Sequence, residues 1–288
     1  MHLGKHISSL QNPLVRQILQ LKEKKRGRDK TGLFVLEGLR EIQLALKGGY
    51  EITKVFYCTD IIPVQELKAL FPNKDAGTEG IELSREVYRR VAYREKTEGV
   101  LALARAKSHQ LHDLQFHRKD PLILIAQSPE KPGNLGALLR TADAANLDAV
   151  ILADPKSDLY NPNIIRSSVG CLFTVNIGVG SSEEVFQFLR DKGIKLYSAA
   201  LSASELYSEL DYTGPVAIAV GTEATGLTEK WITESDANVI IPMKGQIDSM
   251  NLSVSAAILI FEALRQRNFD EINGRRYNLL WIHLYFFM

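Results

Sequence analysis

Cysteine is scarce: Cys58 and Cys171 are the only two in 288 residues. They sit in the apolar settings VFYC and GCLFTV and form no CxxC pair. That excludes a disulfide scaffold and a zinc ribbon as organising features, and predicts buried free thiols in a reducing compartment. Long hydrophobic runs are also missing, none nearing the roughly 18 apolar residues of a membrane span. The amino-terminal MHLGKHISSLQNP lacks the apolar core of a secretory signal. The tail NLLWIHLYFFM is too short to cross a bilayer and is expected to pack on the fold or on a partner subunit. A cytoplasmic chain without a membrane partner is the expectation. No Walker loop, GxGxxG turn or nucleophile elbow occurs. His109, His112 and His117 do not have zinc spacing, so no metal is expected and they are read as part of a solvated linker.

What is present is a hidden division of charge. The formal net charge is +1. Residues 1–110 carry 20 Lys/Arg against 13 Asp/Glu, a net of +7, leaving 15 against 21, a net of −6, for residues 111–288. A basic half of this kind is a candidate polyanion surface.

Hydrophobic patterning gives an alternation of short elements along the whole chain. LVRQILQLKEKKR is predicted as an amphipathic helix with Leu14, Ile18 and Leu21 on one face. GLFVLEG, KVFYC, IELS and GVLALARA read as strands, the last as an alternating one. Helices over Leu39–Leu46, VQELKALF and REVYRRVA separate them, with Ser84 placed to cap the third. The second half has near-continuous apolar strands, LILIAQ, AVILA, CLFTVNI, IKLYSAA, VAIAVG and NVIIPM, with helices between. Strands apolar on both faces argue for a parallel sheet covered on both sides, whose ligands collect beyond the strands' carboxyl ends. The predicted division is residues 1–108, a linker at 109–120, a second domain at 121–270 and a tail at 271–288.

Three segments at such carboxyl ends could carry chemistry. In SPEKPGNLGALLR, Gly133 and Gly136 allow close backbone approach, Asn134 sits at a natural helix cap, and Arg140 follows two turns on. The local alternative is a cap and a surface arginine. In GTEATGL, Gly221 and Gly226 bracket Thr222 and Glu223; the local alternative is a capping box, with Thr222 and Thr228 as caps. In IPMKGQIDSMNLSVSAA, Ser249 and Asn251 stand at a helix N-terminus, a place suited to a polar ligand or to developing charge, or simply an N-cap cluster. A fourth loop, NPNIIRSSVG, places Arg166, Ser167 and Ser168 where they could grip a phosphate.

Together these residues resemble the SpoU (TrmH-type) branch of the SPOUT RNA 2′-O-ribose methyltransferases. The family's first motif is matched by Asn134, Gly136 and Arg140, its second by Gly221, Glu223, Gly226 and Leu227. Its third is matched by Ile241, Pro242, Met243, Ser249, Met250 and Asn251, with Met250 in place of the usual leucine, a swap of similar volume. The resemblance implies an α/β protein: a carboxyl-terminal SPOUT parallel-sheet domain with a deep trefoil knot, plus a small amino-terminal ribosomal-protein-like α/β domain that binds substrate. It implies S-adenosylmethionine held near Gly221, Ile241, Met243 and Met250. It also implies a homodimer through the SPOUT domain whose site borrows residues from both chains.

The catalytic set it implies is Arg140, Asn134, Glu223, Ser249 and Asn251. Arg140 corresponds to the family's proposed base. With a pKa above roughly 12 it is a poor base in water, and orienting the substrate phosphate is its second role. RNA, expected to be large-subunit ribosomal RNA, is the partner. Its phosphates are expected on Arg16, on Lys24, Lys25, Arg26 and Arg28 of KEKKRGRDK, on Arg89, Arg90 and Arg94, and on Arg166, while Tyr88 and Tyr93 could stack on unpaired bases. A solvated helix face with aromatic core anchors is the alternative for Arg89–Arg94. The rival functions are a transfer RNA ribose methyltransferase and a non-catalytic RNA-binding or ribosome-assembly protein.

Overall fold

The computed structural model describes residues 2–268 apart from 72–77, 94–96, 203–204, 223 and 248. Two sheets organise them. The first is built from β1 (His2–Ile7), β2 (Leu33–Glu37), β3 (Ile52–Tyr57), β4 (Glu79–Leu83) and β5 (Val100–Arg105), in the order β1-β4-β3-β5-β2. β5 runs antiparallel to both of its neighbours; β1, β4 and β3 are mutually parallel. Around it lie α1 (Pro13–Glu23), α2 (Lys25–Thr31), α3 (Leu39–Lys47), α4 (Val64–Leu70) and α5 (Arg85–Val91). Their ends follow local chemistry: the Asn12 side chain accepts from the Leu14 N–H with Pro13 behind it, and Ser84 caps α5.

Three expectations for this part are corrected, and one strand was not foreseen. α1 buries Val15, Ile18 and Leu21 rather than Leu14, a one-residue rotation of the apolar stripe. The helix expected to run to Arg26 breaks at the extended Lys24, and α2 follows until Gly32 ends it in a left-handed conformation. β5 is buried on both faces up to Ala104 and does not alternate, because it is a central strand. The amino-terminal residues form β1 on the sheet edge, a strand with too few apolar residues to announce itself.

The second sheet is all parallel: β6 (Leu122–Gln127), β7 (Ala149–Ala153), β8 (Ile177–Gly180), β9 (Lys195–Ala199), β10 (Glu205–Leu206), β11 (Val216–Val220) and β12 (Ala237–Ile240), ordered β10-β12-β9-β11-β6-β7-β8. β6, β7 and β11 are wholly buried, as strands covered on both faces must be. The covering helices are α6 (Pro132–Ala144), α7 (Pro162–Ser167), α8 (Ser182–Lys192), α9 (Glu229–Thr233) and α10 (Leu252–Gln266). CLFTVNI is not one strand; Cys171–Phe173 form a 3₁₀ turn and β8 starts only at Ile177.

The two sheets share one apolar core. Phe34 stacks on Tyr160 with ring centroids 4.3 Å apart, and Tyr50 meets Phe173 edge-on. The polar connection after β5 packs too. Leu111 and Leu114 are buried, and the His109 ring lies 2.8 Å from the Tyr160 hydroxyl. His109 is therefore not solvated as expected, and burial pushes its pKa down. His112 and His117 are exposed.

Candidate active site

The segments after β9, β11 and β12 leave the sheet at its carboxyl edge and enclose a cavity of about 650 Å³. Its apolar wall includes Val220, Leu227, Ile232, Ile241, Met243 and Leu252; its polar atoms come from Ser202, Thr222, Thr225, Ser249, Ser255 and backbone. None of the described lining residues is charged. Placing a ligand here follows the general behaviour of open parallel sheets.

The loop after β11 closes on itself. The Thr222 N–H donates to the Gly226 carbonyl at 3.1 Å and the Gly226 N–H returns to the Thr222 carbonyl at 2.9 Å. The two threonine hydroxyls, Thr222 and Thr225, are 2.8 Å apart. Gly221 makes this closure possible: a Cβ there would lie 2.0 Å from the Gly226 carbonyl carbon. Thr228 is the N-cap residue of α9 but makes no side-chain cap bond, so the capping box weighed as the local alternative does not form there.

Two of the distant segments meet. The Asn251 side chain caps α10 by accepting from the Ser253 N–H at 3.0 Å, and its amide donates to Asn134 Oδ1 at 3.3 Å. Asn134 is not a cap as predicted; it lies inside α6, which starts at Pro132 with Lys131 as N-cap. Gly136 permits close packing, since a Cβ would sit 2.0 Å from Ser167 Oγ on α7, whereas Gly133 has open space around it. Arg140 is exposed two turns along α6. It is outside the cavity lining and makes no hydrogen bond or ion pair among the described residues. Of the residues expected at the cofactor and catalytic positions, Gly221, Ile241, Met243, Met250 and Ser249 line the cavity, and Asn134 and Asn251 stand together as a pair. Glu223 lies outside the described residues.

The sequence reading passed over Ala199–Ser202 after β9, which lines the cavity without a glycine or a charge to mark it. It also passed over Gln127, buried at the end of β6 and bonded to Thr228. The carboxyl-end rule applied to every parallel strand would have found both segments.

The cations expected to meet RNA divide by burial. Lys24, Lys25, Arg26, Arg89, Arg90 and Arg166 are exposed, as is Arg16 beside Gln11. Arg28 is 6% exposed: it pairs with Asp158 of the second sheet's periphery and donates to the carbonyls of Leu21 and Lys22. Arg28 is thus corrected from a phosphate contact to a strut between the two sheets. Tyr88 is fully buried and bonded to Thr97, so it cannot stack on a base. Tyr93 is 43% exposed, with Lys22 and Arg166 over its ring at 5.2 and 5.6 Å. Arg94 lies outside the described residues.

A parallel α/β sheet with a cavity at its carboxyl edge whose described lining is uncharged, joined to a basic α/β unit, defines a class of ligand-binding α/β proteins rather than a particular reaction. Comparison with known proteins gives the reaction. Residues 121–261 match the model of the SpoU rRNA methylase family, and residues 12–102 match that of the MRM3-like substrate binding domain. The chain is 30% identical to the 23S rRNA (guanosine(2553)-2′-O)-methyltransferase of Bacillus subtilis, covering 89% of this chain and 98% of that one. It is 33% identical to the tRNA (guanosine(18)-2′-O)-methyltransferase of Thermus thermophilus over 60% of this chain and 86% of that one. The crystal structure of the AdoMet-bound rRNA methyltransferase from Sinorhizobium meliloti superposes with a TM-score of 0.83 at 29% identity, covering 91% and 98% of the two chains. The protein belongs to the SpoU rRNA methylase family. It is an RNA 2′-O-ribose methyltransferase that uses S-adenosylmethionine.

The cavity fits that cofactor. Its volume suits a nucleoside of this size, its apolar wall suits an adenine, and the closed Gly221–Leu227 loop leaves backbone within reach of polar groups. Among the described residues no helix is long and apolar enough to cross a membrane.

Proposed function

We propose that the chain methylates a ribose of large-subunit ribosomal RNA in the cytoplasm, working as a homodimer. The observation that carries the reading is the meeting of Asn134 with Asn251 beside the cavity, which joins the α6 and α10 segments at one place. The ribosomal relative spans nearly the whole chain, amino-terminal unit included, whereas the transfer RNA relative spans three-fifths of it. That difference favours ribosomal over transfer RNA.

In this reading Gly221, Ile241, Met243 and Met250 hold S-adenosylmethionine, which supplies an activated methyl group with its own leaving group. The protein's task is then position and proton management. Asn134 and Asn251 fix the relation of α6 to α10, and Ser249 faces the acceptor. Glu223 belongs to the same assignment by its place in the loop. Arg140 grips the acceptor phosphate through its forked donors and eases charge developing on the 2′-oxygen.

Arg140 stands outside the cavity of its own chain, so the reading assigns it to the site of a second copy. An apolar stripe on α10 supports this: Val254 is 50% and Phe261 43% exposed, with Ile258 between them at helical spacing, and α10 packs against α6, which carries Arg140. The trefoil knot belongs to the same proposal. β12 lies beyond β9 in the sheet, yet α10 returns to pack on β11 and α6, the kind of path a knotted carboxyl terminus takes. The proposed division is a substrate-binding domain at 1–108, a connection at 109–120, the methyltransferase domain at 121–270 and a tail at 271–288, the tail lying outside the described residues beyond 268. Lys24, Lys25, Arg26, Arg89, Arg90 and Arg166 contact RNA phosphate.

The test is methyl transfer in vitro to ribosomal and transfer RNA. Ribosomal RNA is expected to accept methyl groups, and Arg140→Ala to lose at least about a hundredfold in rate while S-adenosylmethionine affinity is kept. Exclusive transfer to tRNA, or normal turnover by the variant, contradicts the assignment.

A further inference from the structure

Gln127 is the last residue of β6 and is 5% exposed. The β6–β11 ladder ends one residue earlier, at Ala126 opposite Val220. There β11 turns away into the Gly221–Leu227 loop, and its neighbour's backbone can follow it no further. The side chain of Gln127 takes over. Its Oε1 accepts the Thr228 backbone N–H at 2.9 Å, and its Nε2 donates to the Thr228 hydroxyl at 3.0 Å. Both ends of a buried amide are committed to one residue.

Thr228 is where the loop re-enters regular structure, as the N-cap residue of α9. A threonine there ordinarily caps its own helix. Here its hydroxyl is bonded to Gln127, so the two side chains tie the loop to the sheet instead. Among the described residues, the loop's other hydrogen bonds lie within itself, Thr222 to Gly226 and Thr222 to Thr225. Leu227 and Trp231 secure only its far side, Trp231 through its indole N–H to Ser182 at 2.8 Å. Gly221, Thr222, Thr225 and Leu227 all line the cavity.

We infer that Gln127 is a positioning residue for cofactor binding, setting the place of the Gly221–Leu227 wall through its paired bonds to Thr228. The inference rests on the reading of this cavity as the S-adenosylmethionine site. A buried amide with fixed partners suits such a task, because losing either bond leaves a desolvated polar group and a loop free to shift.

The experiment measures radiolabelled S-adenosylmethionine binding to the full chain by equilibrium dialysis, alongside affinity for a ribosomal RNA transcript and the melting temperature without ligand. Gln127→Ala is expected to weaken cofactor binding about tenfold, the equivalent of one buried hydrogen bond, with RNA affinity unchanged. Gln127→Glu should restore most of it, since a carboxylate accepts from both the Thr228 N–H and its hydroxyl. Thr228→Val should also weaken binding. Combined with Gln127→Ala it should add less than its own separate effect, because the hydroxyl bond that Thr228→Val removes is one of the two that Gln127→Ala already breaks, the other running from the Thr228 backbone N–H. If Gln127→Ala does not fold, Gln127→Met, of similar volume, carries the same test.

Unaltered cofactor affinity in a folded Gln127→Ala or Gln127→Met overturns the inference alone. So does a Gln127→Glu as weak as the alanine variant, or an equal loss of RNA affinity, which marks a general structural role. A wild-type chain that does not bind S-adenosylmethionine overturns the cavity reading and the inference with it.

Discussion

At the carboxyl edge of the second sheet, the described cavity lining offers backbone groups and short, uncharged side chains. On α1, α2 and α5 an exposed face carries long cations instead. The cavity leaves little freedom: Gly221 has no room for a Cβ, and the Asn134–Asn251 and Gln127–Thr228 bonds each depend on particular atoms. In its proposed role the basic face is permissive, since phosphate contacts act by charge and tolerate substitution. Yet the same tract contains Arg28, which is as exacting as anything in the cavity. Residue type did not separate Arg28 from Arg26, two positions away; burial did.

The sharpest blow to the cavity side is Gly221→Ala. The added methyl must displace the Gly226–Leu227 backbone. S-adenosylmethionine binding, followed by dialysis, is expected to fall below detection in a chain that still melts cooperatively. Wild-type affinity would mean that the loop is not a wall of the cofactor site.

Within the basic tract, Arg28→Ala is expected to cost about 3–5 kcal/mol of stability by leaving the largely desolvated Asp158, 11% exposed, without its cation, read from denaturant midpoints. The triple replacement Lys24→Ala, Lys25→Ala and Arg26→Ala should leave the midpoint nearly unchanged. It should instead flatten the salt dependence of RNA binding by about 0.7–0.9 in log–log slope for each phosphate no longer neutralised. Equal effects of the two sets on stability would erase the distinction drawn by burial.

The smallest effect concerns the seam between the sheets. Burial holds the His109 pKa below the ordinary 6.5. An unfolded chain therefore takes up that proton first, so the contribution is complete above about pH 6.5 and declines as pH falls toward the folded-state value. Urea midpoints of the wild type should drop more steeply from pH 7 to 5 than those of His109→Gln. Parallel profiles would remove His109 from the account.

Much of the second sheet was legible because parallel strands buried on both faces leave unbroken apolar runs, as LILIAQ and VAIAVG do. CLFTVNI failed for the same reason in reverse: an apolar run that a 3₁₀ turn uses as well as a strand does. β1 was missed since an edge strand needs few apolar residues. In the site, glycines and asparagines at strand ends could be seen as candidates, and the resemblance ordered them. Asn134 as a cap, Gly133 as a close approach and Tyr88 as a stacking ring were wrong, since each depended on neighbours supplied by distant segments.

Periodicity and spacing in the chain thus settle the alternation of strand and helix, the division of charge and the three motif segments, because these are properties of neighbouring residues. Whether Asn134 meets Asn251, whether Gln127 reaches Thr228 and whether Arg28 faces Asp158 or solvent belong to the folded molecule alone. Those partners stand 117, 101 and 130 residues apart, and only packing brings such groups together and takes water away from them.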